Sequence, residues 1–125
     1  MSQDVVADAL NQIMNAKRVE KKEIIIGRKS KLLLAVFERM KKEGYLDYRE
    51  NEDGRSVTVE VLKLNVCRAV KPRYFVKAGD VEKYSKRFLP SRRFGKLIVS
   101  TNEGLMDQHE VVAKKIGGAL VAYVY

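Results

Sequence analysis

The sequence predicts an α+β protein of two small, packed α/β subdomains. A length of 125 residues suits one compact unit or two small modules, but not two large domains. Hydrophobic residues make up 46% of the chain and charged residues 33%, which is typical of a folded protein with a strongly solvated surface. Regular helix and strand patterns stop near residues 63–66. We therefore predict an N-terminal αβαββ subdomain at residues 1–64 and a C-terminal subdomain, mostly β with short helices, at residues 65–125.

Two amphipathic helices are predicted in the first half. Ser2 or Asp4 can cap the first helix. The second is expected over Ser30–Glu43, with Gly44 in the position of a left-handed C-terminal cap. Each helix has a stripe of apolar residues at helical spacing, which predicts the side that faces the core. The stripes consist of Val6, Leu10, Ile13 and Met14 in the first helix and of Leu33, Val36, Phe37 and Met40 in the second.

Three strands complete the predicted N-terminal subdomain. Glu23–Ile26 has the composition of a short buried strand. Tyr45–Glu50 and Ser56–Leu62 are the other two, and in the last strand valines alternate with polar residues. Because Asp53-Gly54 lies between these two strands, it predicts a hairpin turn.

The second half begins with a less regular segment. Val66–Val70 and Tyr74–Val76 are expected to be extended on either side of Pro72. Asp80 is expected to cap a short helix through Tyr84.

The last third of the chain has clearer signals. Leu97–Val99 predicts a buried strand that leads into a tight, exposed turn at Ser100–Gly104. Asp107 and Glu110 have the spacing of a capping box for a short helix, and we expect the pair Gly117-Gly118 to end that helix. A final strand is expected at Leu120–Tyr125.

The charge of the chain favours a polyanionic partner. Its net charge is +9 and its pI about 9.7. Residues 1–62 carry 12 basic and 11 acidic side chains, whereas residues 63–125 carry 13 and 5. Because basic side chains that neutralise phosphates release condensed counterions, nucleic acid is the first candidate. A basic protein with no specialised partner is the alternative, since net charge affects solubility and non-specific binding first.

Lys83–Lys96 is the most basic segment, because it has no acidic residue and has aromatic residues between its cations. Cations can hold phosphates and aromatic rings can stack on unpaired bases, a combination that suits RNA better than duplex DNA. The alternative is a solvated basic loop with Phe88 and Phe94 buried in the core, and for these two residues we favour it. The cations are Lys83, Lys86, Arg87, Arg92, Arg93 and Lys96.

Further phosphate contacts are expected from Arg68, Lys71, Arg73 and Lys77, which have no acidic residue among them. Ser100-Thr101-Asn102 offers two hydroxyls and an amide at the end of a buried strand. These groups can donate to phosphate or ribose oxygens and accept from base edges. The alternative is an ordinary turn.

Enzymatic function is disfavoured, and no cofactor, metal or small-molecule substrate is expected. His109 is the single histidine, and no Cys/His cluster, Gly-rich phosphate loop or nucleophile elbow is present in the sequence. A DNA-binding regulator with Ser30–Glu43 as its reading helix is a second hypothesis. Most of the excess charge lies in the other half, which a major-groove reader would not need.

The expected location is the cytoplasm, without a membrane partner. No apolar run approaches the roughly 20 residues of a transmembrane helix, and the start of the chain lacks the pattern of a secretory signal. Cys67 is the single cysteine and cannot form an intrachain disulfide, so a reducing compartment fits. We interpret Cys67 as a half-buried strand residue.

Several segments, over nearly the whole chain, resemble one known family. It is the universal family of small-subunit ribosomal proteins numbered eight, whose cytosolic eukaryotic form has been called fifteen-A. The motifs Phe88-Leu89-Pro90, Gly95–Ser100 and Gly104–Asp107 are similar to its archaeal and eukaryotic branch. The segments are Asp4–Asn15 (DVVADALNQIMN), Ser30–Leu32, Lys41–Leu46 (KKEGYL) and the chain end, VSTNEGLMDQHEVVAKKIGGALVAYVY.

The resemblance implies a two-domain, non-enzymatic protein without a cofactor. It would bind the central domain of small-subunit rRNA early in assembly and contact neighbouring ribosomal proteins. The family's main rRNA contact is a Ser/Thr-rich loop followed by glycine, and many members have Ser where this chain has Asn102. The loop corresponds here to Ser100, Thr101, Asn102, Glu103 and Gly104.

Two further sets of RNA-facing residues follow from the resemblance. Gly117 and Gly118 match the family's paired glycines, where missing side chains would allow a close backbone approach to RNA. A second RNA-facing surface would lie in the first half. Its residues would be Asn11, Asn15, Lys17 and Lys31.

Overall fold

The structure is a computed structural model that describes residues 4–70, 75–91 and 94–125. It confirms the α+β class. The chain forms two compact units: unit 1 ends at Cys67, and unit 2 extends from Arg68 to Tyr125. The helices are α1 (Val5–Arg18), α2 (Lys31–Lys42), α3 (Val81–Phe88) and α4 (Gln108–Lys114), with a 3-10 turn at Ala78–Asp80. The strands are β1 (Glu23–Ile26), β2 (Leu46–Glu50), β3 (Val57–Val61), β4 (Cys67–Ala69), β5 (Phe75–Val76), β6 (Lys96–Thr101), β7 (Gly104–Met106) and β8 (Gly118–Val124).

The two helices of unit 1 begin where their capping residues predict. The Asp4 carboxylate accepts a hydrogen bond from the Ala7 amide, while Ser2 lies outside the described residues. Ser30 Oγ caps α2 in the same way, and Gly44 has a φ of +81°, as a left-handed cap requires. The predicted stripes are buried except for the half-buried Met14.

The sheet of unit 1 has the strand order β1-β3-β2, and all its pairs are antiparallel. The prediction that β1 is buried was wrong, because Ile26 is buried but Ile25 is 65% exposed. An edge strand with one covered face shields alternate side chains only. Thr58, one of the polar residues that alternate with valines in β3, is buried, and its hydroxyl donates to Asn51 Oδ1 at 2.9 Å.

The turn between β2 and β3 is the predicted hairpin turn. Gly54 has a φ of +74°, which favours glycine. The Asp53 carboxylate accepts hydrogen bonds from the Arg55 and Ser56 amides, both at 2.9 Å, and from the Ser56 hydroxyl at 2.7 Å. These three bonds hold the pKa of Asp53 at about 2.

Unit 2 is built on a sheet with the order β4-β8-β6-β7, to which β5 is added beside β8. Val121 is an extra residue in β8, because Ile98 pairs with Ala122 while Val99 pairs with Leu120. A hydrophobic core packs against this sheet, and Leu97, Val99 and Leu120 are fully buried in it. Tyr74 and Pro72, from the predicted extended segment, lie outside the described residues.

The first helix of unit 2 differs from its prediction. It ends at Phe88 rather than Tyr84, so Lys86 and Arg87 of the basic segment are helical as well as Lys83. Asp80 precedes the helix but makes no capping hydrogen bond with its side chain. Asp80 belongs to a 3-10 turn and has helical backbone angles, which do not aim a carboxylate at the amides of the first turn.

The second helix of unit 2 has the predicted start but a different end. Asp107 and Glu110 each accept a hydrogen bond from the other's amide, which confirms the capping box. The expected termination at Gly117-Gly118 was wrong, because α4 stops at Lys114 and Lys115 takes the left-handed conformation with a φ of 56°. The first strand residue of β8 is Gly118.

Candidate nucleic-acid interface

The predicted turn at residues 100–104 is the end of the β6–β7 hairpin. Thr101 pairs with Gly104, so the connection is the dipeptide Asn102-Glu103, and Ser100 is a strand residue. Gly104 has a φ of +108°, which explains glycine at this position. Asn102, Glu103 and Gly104 are exposed, whereas Ser100 and Thr101 are half-buried. The strand β7 was not predicted from the sequence.

The two hydroxyls of the hairpin have different environments. Thr101 Oγ1 donates to the Gly104 carbonyl at 2.7 Å and accepts from the Glu103 amide at 3.1 Å. Its proton is therefore used within the turn. The Ser100 side chain lies on the opposite face of the strand, because successive strand residues alternate. Ser100 and Asn102 are the other polar side chains that the hairpin can present to a ligand.

An ion pair reduces the negative charge of the hairpin. Lys114 Nζ of α4 lies 3.7 Å from a carboxylate oxygen of Glu103, and both side chains are about half exposed at 52% and 56%. The sequence did not single out Lys114, because the position of α4 beside the hairpin depends on tertiary structure. The pair matters for an anionic ligand, which an isolated carboxylate would repel.

The paired glycines lie at the same end of the sheet as the hairpin. A Cβ atom at Gly118 would be 2.4 Å from the Ser100 carbonyl oxygen, and one at Gly117 would be 2.8 Å from that of Val76. Glycine is therefore required here by close approach of the protein's own backbone. Gly117 is half-buried and Gly118 is buried.

An exposed aromatic ring lies next to these glycines. Phe75 of β5 is 70% exposed, and its ring atoms would lie 3.0 Å and 3.1 Å from a Cβ at Gly117. The sequence places Phe75 in an extended segment but cannot show whether its ring faces the core or the solvent. The hairpin end of the sheet thus combines polar, cationic and aromatic groups.

Some of the described cations of unit 2 form ion pairs with neighbouring carboxylates. Lys96 Nζ is 3.3 Å from a carboxylate oxygen of Asp107. Burial alone would raise the pKa of Asp107, but the hydrogen bond from the Glu110 amide and the charge of Lys96 together lower it. Lys86 lies 3.9 Å from Glu82. Among the other predicted phosphate contacts, Arg68 and Lys77 are exposed. Lys71, Arg73, Arg92 and Arg93 lie outside the described residues.

The expectation that both phenylalanines of the basic segment are buried was wrong. Phe94 is 42% exposed, and Phe88 is half-buried against Tyr123 with a centroid distance of 5.1 Å. Phe88 packs on a tyrosine near the C-terminal end of β8, and Phe94 packs on Tyr125, the residue after β8, at a centroid distance of 6.0 Å. They cover the edge of the core rather than fill it.

The residues predicted in the first half lie on the two helices of unit 1. Asn11 and Asn15 are exposed one turn apart on α1, and Lys17 is half-buried. Lys31 is exposed at the first position of α2. An open groove of about 710 Å³ lies between α1 and β1, and Asn15 is the one of these four residues that lines it.

The single cysteine and the single histidine of the chain differ in exposure. Cys67 is fully buried rather than half-buried, with its thiol 3.7 Å from the Leu10 carbonyl, while His109 is exposed. No group of three or more His, Cys, Asp or Glu side chains among the described residues could hold a metal ion. No described helix is long and apolar enough to cross a membrane.

Two comparisons with known proteins gave matches over the length of the chain. The sequence profile of the family described as Ribosomal protein S8 matches residues 4–125. The chain is also similar to the small ribosomal subunit protein uS8 of Nanoarchaeum equitans (strain Kin4-M), with 40% identity over 129 aligned positions and full coverage of both chains.

Proposed function

The chain belongs to the ribosomal protein S8 family, and from this premise we propose that it binds the central domain of small-subunit rRNA through the β6–β7 hairpin. Membership makes it an rRNA-binding structural constituent of the small ribosomal subunit and not an enzyme. It also agrees with the predicted archaeal and eukaryotic branch, because the similar protein is archaeal. The central-domain target, the early role in assembly and the cytoplasmic location are part of the proposal.

The observation that carries the proposal is the exposed polar tip of the hairpin. Asn102 offers two N–H donors and a carbonyl acceptor there, enough for a base edge or for ribose and phosphate oxygens. β6 is anchored by three buried apolar residues, so the tip is presented on a rigid support. The Glu103–Lys114 ion pair lowers the electrostatic cost of approaching phosphate.

Gly117 and Gly118 also support RNA binding by the hairpin, although not through the close approach of RNA that the resemblance implied. Because they let the backbones of β5, β6 and β8 pack closely, they set the position of the hairpin base. We propose that their main role is to build the RNA-binding end of the sheet, and that Thr101 likewise shapes the turn through its two hydrogen bonds.

The remaining predicted contacts complete the proposal. Arg73, Arg92 and Arg93 would hold phosphates, as their positions in the basic half suggest. Asn11, Asn15, Lys17 and Lys31 would form a second RNA-facing surface on unit 1. Neighbouring ribosomal proteins would contact surfaces that are not covered by RNA.

The test is salt-titrated binding of the full chain to a central-domain rRNA fragment, an unrelated structured RNA and a duplex DNA of equal length. The proposal expects binding to the fragment to persist at salt concentrations at which both competitors are released. Ser100→Ala with Asn102→Ala should weaken binding to the fragment by roughly 1 kcal/mol for each hydrogen bond that is removed.

Asn65→Ala is the matched control, because Asn65 is an exposed asparagine in unit 1. It should leave binding unchanged. Thr101→Ala is a separate variant, since it should also lower stability by loosening the turn. Unchanged affinity of the Ser100 and Asn102 double variant would remove the hairpin from the site, and equal release from all three nucleic acids would leave a generic basic protein.

A further inference from the structure

Four aromatic rings form a strip on unit 2, near the end of β6 opposite the hairpin. Tyr123 and Tyr125 both pack against the hydrophobic core of unit 2. The Phe88 ring stacks on Tyr123 with an interplanar angle of 20°, and the Phe94 ring is tilted by 50° on Tyr125. We call Phe88, Phe94, Tyr123 and Tyr125 the aromatic strip.

The aromatic strip is accessible and lies beside the cationic side chain of Arg87. Phe94 is 42% exposed, and its three partners are half-buried. The Arg87 guanidinium lies 5.8 Å from the centroid of the Phe88 ring, within the range of a cation–π contact. One turn earlier on α3, Lys83 lies 6.0 Å from the Tyr84 ring. Cations interleaved with aromatic rings are the usual surface for single-stranded nucleic acid.

Glycine at position 95 allows Phe94 to pack against Tyr125. Gly95 has a φ of +93°, and a Cβ there would lie 2.7 Å from both Tyr125 Cβ and the Val124 carbonyl oxygen. The chain can therefore pass directly over the end of β8. This fixed backbone positions the Phe94 ring before a ligand arrives, which lowers the entropic cost of stacking.

We propose that the aromatic strip binds an unpaired RNA nucleotide, whose base stacks on Phe94 while Arg87 attracts the phosphate. The proposal rests on the proposed function in that RNA is the ligand, but the contact is a separate one. Lys96 and Thr101, at the two ends of β6, are about 17 Å apart at roughly 3.4 Å per residue. The neighbouring cations favour RNA over an apolar protein segment.

The test measures binding of the full chain to a short single-stranded oligoadenylate and to an RNA duplex with the same number of phosphates. Phe94→Ala should weaken oligoadenylate binding by about 5- to 150-fold, the range that stacking of one base implies. Binding to the duplex should not change. Phe94→Tyr keeps the aromatic face and should bind like the parent. Val112→Ala truncates another exposed apolar residue of unit 2 and should have no effect.

Phe94→Trp gives a direct readout, because the chain has no tryptophan. Its emission should be quenched by oligoadenylate but not by the duplex, and this holds even if Phe94→Ala fails to fold. Unchanged affinity of a folded Phe94→Ala variant, an equal loss with Val112→Ala, or no quenching at saturation would each overturn the proposal. If the parent chain showed no selectivity for the central-domain fragment while oligoadenylate still quenched the emission of Phe94→Trp, the proposal for the hairpin would be contradicted. The proposal for the aromatic strip would stand.

Discussion

At Gly118 the backbone of β8 comes so close to β6 that no side chain fits between them. A Cβ atom would be 2.4 Å from the Ser100 carbonyl oxygen and 2.8 Å from Val99 Cγ1. Backbone cannot move aside as a flexible side chain can, so Gly118→Ala must separate the two strands. We expect a loss of roughly 1–3 kcal/mol in the free energy of unfolding, as for other overpacked sites, measured by urea denaturation.

Gly79→Ala is the matched control for this prediction. No atom lies within 4 Å of a Cβ at Gly79, and its φ is not in the left-handed region. Its free energy of unfolding should stay within about 0.5 kcal/mol of the parent. If Gly118→Ala were as stable as Gly79→Ala, the close packing of β6 against β8 would be incorrect.

Asp53 predicts a pH dependence of stability. Its pKa is about 2 in the folded state because the Ser56 and Arg55 amides and the Ser56 hydroxyl donate to it, against about 3.9 in an unfolded chain. A lowered pKa stabilises the fold above the unfolded value, and this contribution disappears as the pH falls through the folded value. The stability difference between the parent and Asp53→Asn should therefore shrink between about pH 4 and pH 2.

Urea unfolding across this pH range measures the difference, and carboxyl NMR shifts give the pKa of Asp53 directly. Glu52→Gln is the control, since it removes a neighbouring exposed charge without affecting those hydrogen bonds. A titration of Asp53 near the unfolded value would show that the turn does not hold its carboxylate in these hydrogen bonds.

For single residues, the sequence identifies candidate RNA contacts but does not show which of their polar groups are already hydrogen-bonded within the protein. Ser100 and Thr101 are alike in the sequence, yet the Thr101 hydroxyl is used inside the turn. Phe94 was predicted to be buried but is 42% exposed. Its burial depends on how closely Gly95 passes the end of β8, which no local pattern encodes.

Among the elements, α4 is joined to β6 by a buried side chain. Gln108, only 5% exposed, accepts from the Leu97 amide at 2.9 Å and donates to the Gly95 carbonyl at 3.1 Å. These two bonds satisfy backbone groups at the start of β6. The strand β7 does not reach them, since it pairs only with residues 99–101. One glutamine thus takes the place of a strand partner.

Gln108→Ala should destabilise unit 2 by about 1–3 kcal/mol for the polar groups left without partners. Hydrogen exchange of the Leu97 amide should also accelerate, because its hydrogen bond is removed. His109→Ala, at the next and exposed position of α4, is the control and should change neither quantity. Slow exchange of the Leu97 amide in Gln108→Ala would contradict the bridging role.

Elements were predictable where their signal is local. The apolar stripe of α2 and the capping box of α4 need a few neighbouring residues, and both are confirmed. The strand β7 has three residues and depends on pairing with β6, so its sequence contains too little signal. The same limit applies to β1, whose exposure depends on its edge position in the sheet.

For the whole molecule, the distribution of charge was the most informative feature of the sequence. Residues 1–62 have a net charge of +1 and residues 63–125 of +8, from the counts of basic and acidic residues. Counterion release scales with the number of phosphates neutralised, so the second half should dominate the salt dependence of RNA binding. The sequence could not show which cations are free, because pairs such as Lys96 with Asp107 form only in the folded protein.

Arg92→Ala with Arg93→Ala tests this asymmetry. If both arginines bind phosphate, the slope of log affinity against log salt should fall by about 0.7–0.9 for each phosphate that is no longer neutralised. Affinity for the central-domain fragment and for unrelated RNA should fall together, because phosphate contacts are not sequence-specific. Lys21→Ala with Lys22→Ala removes two exposed cations from unit 1 and should leave the slope unchanged. An equal change in both double variants would contradict the asymmetry, because Lys21 and Lys22 lie outside the proposed contacts of unit 1. A loss confined to the central-domain fragment would make the arginines part of specific recognition.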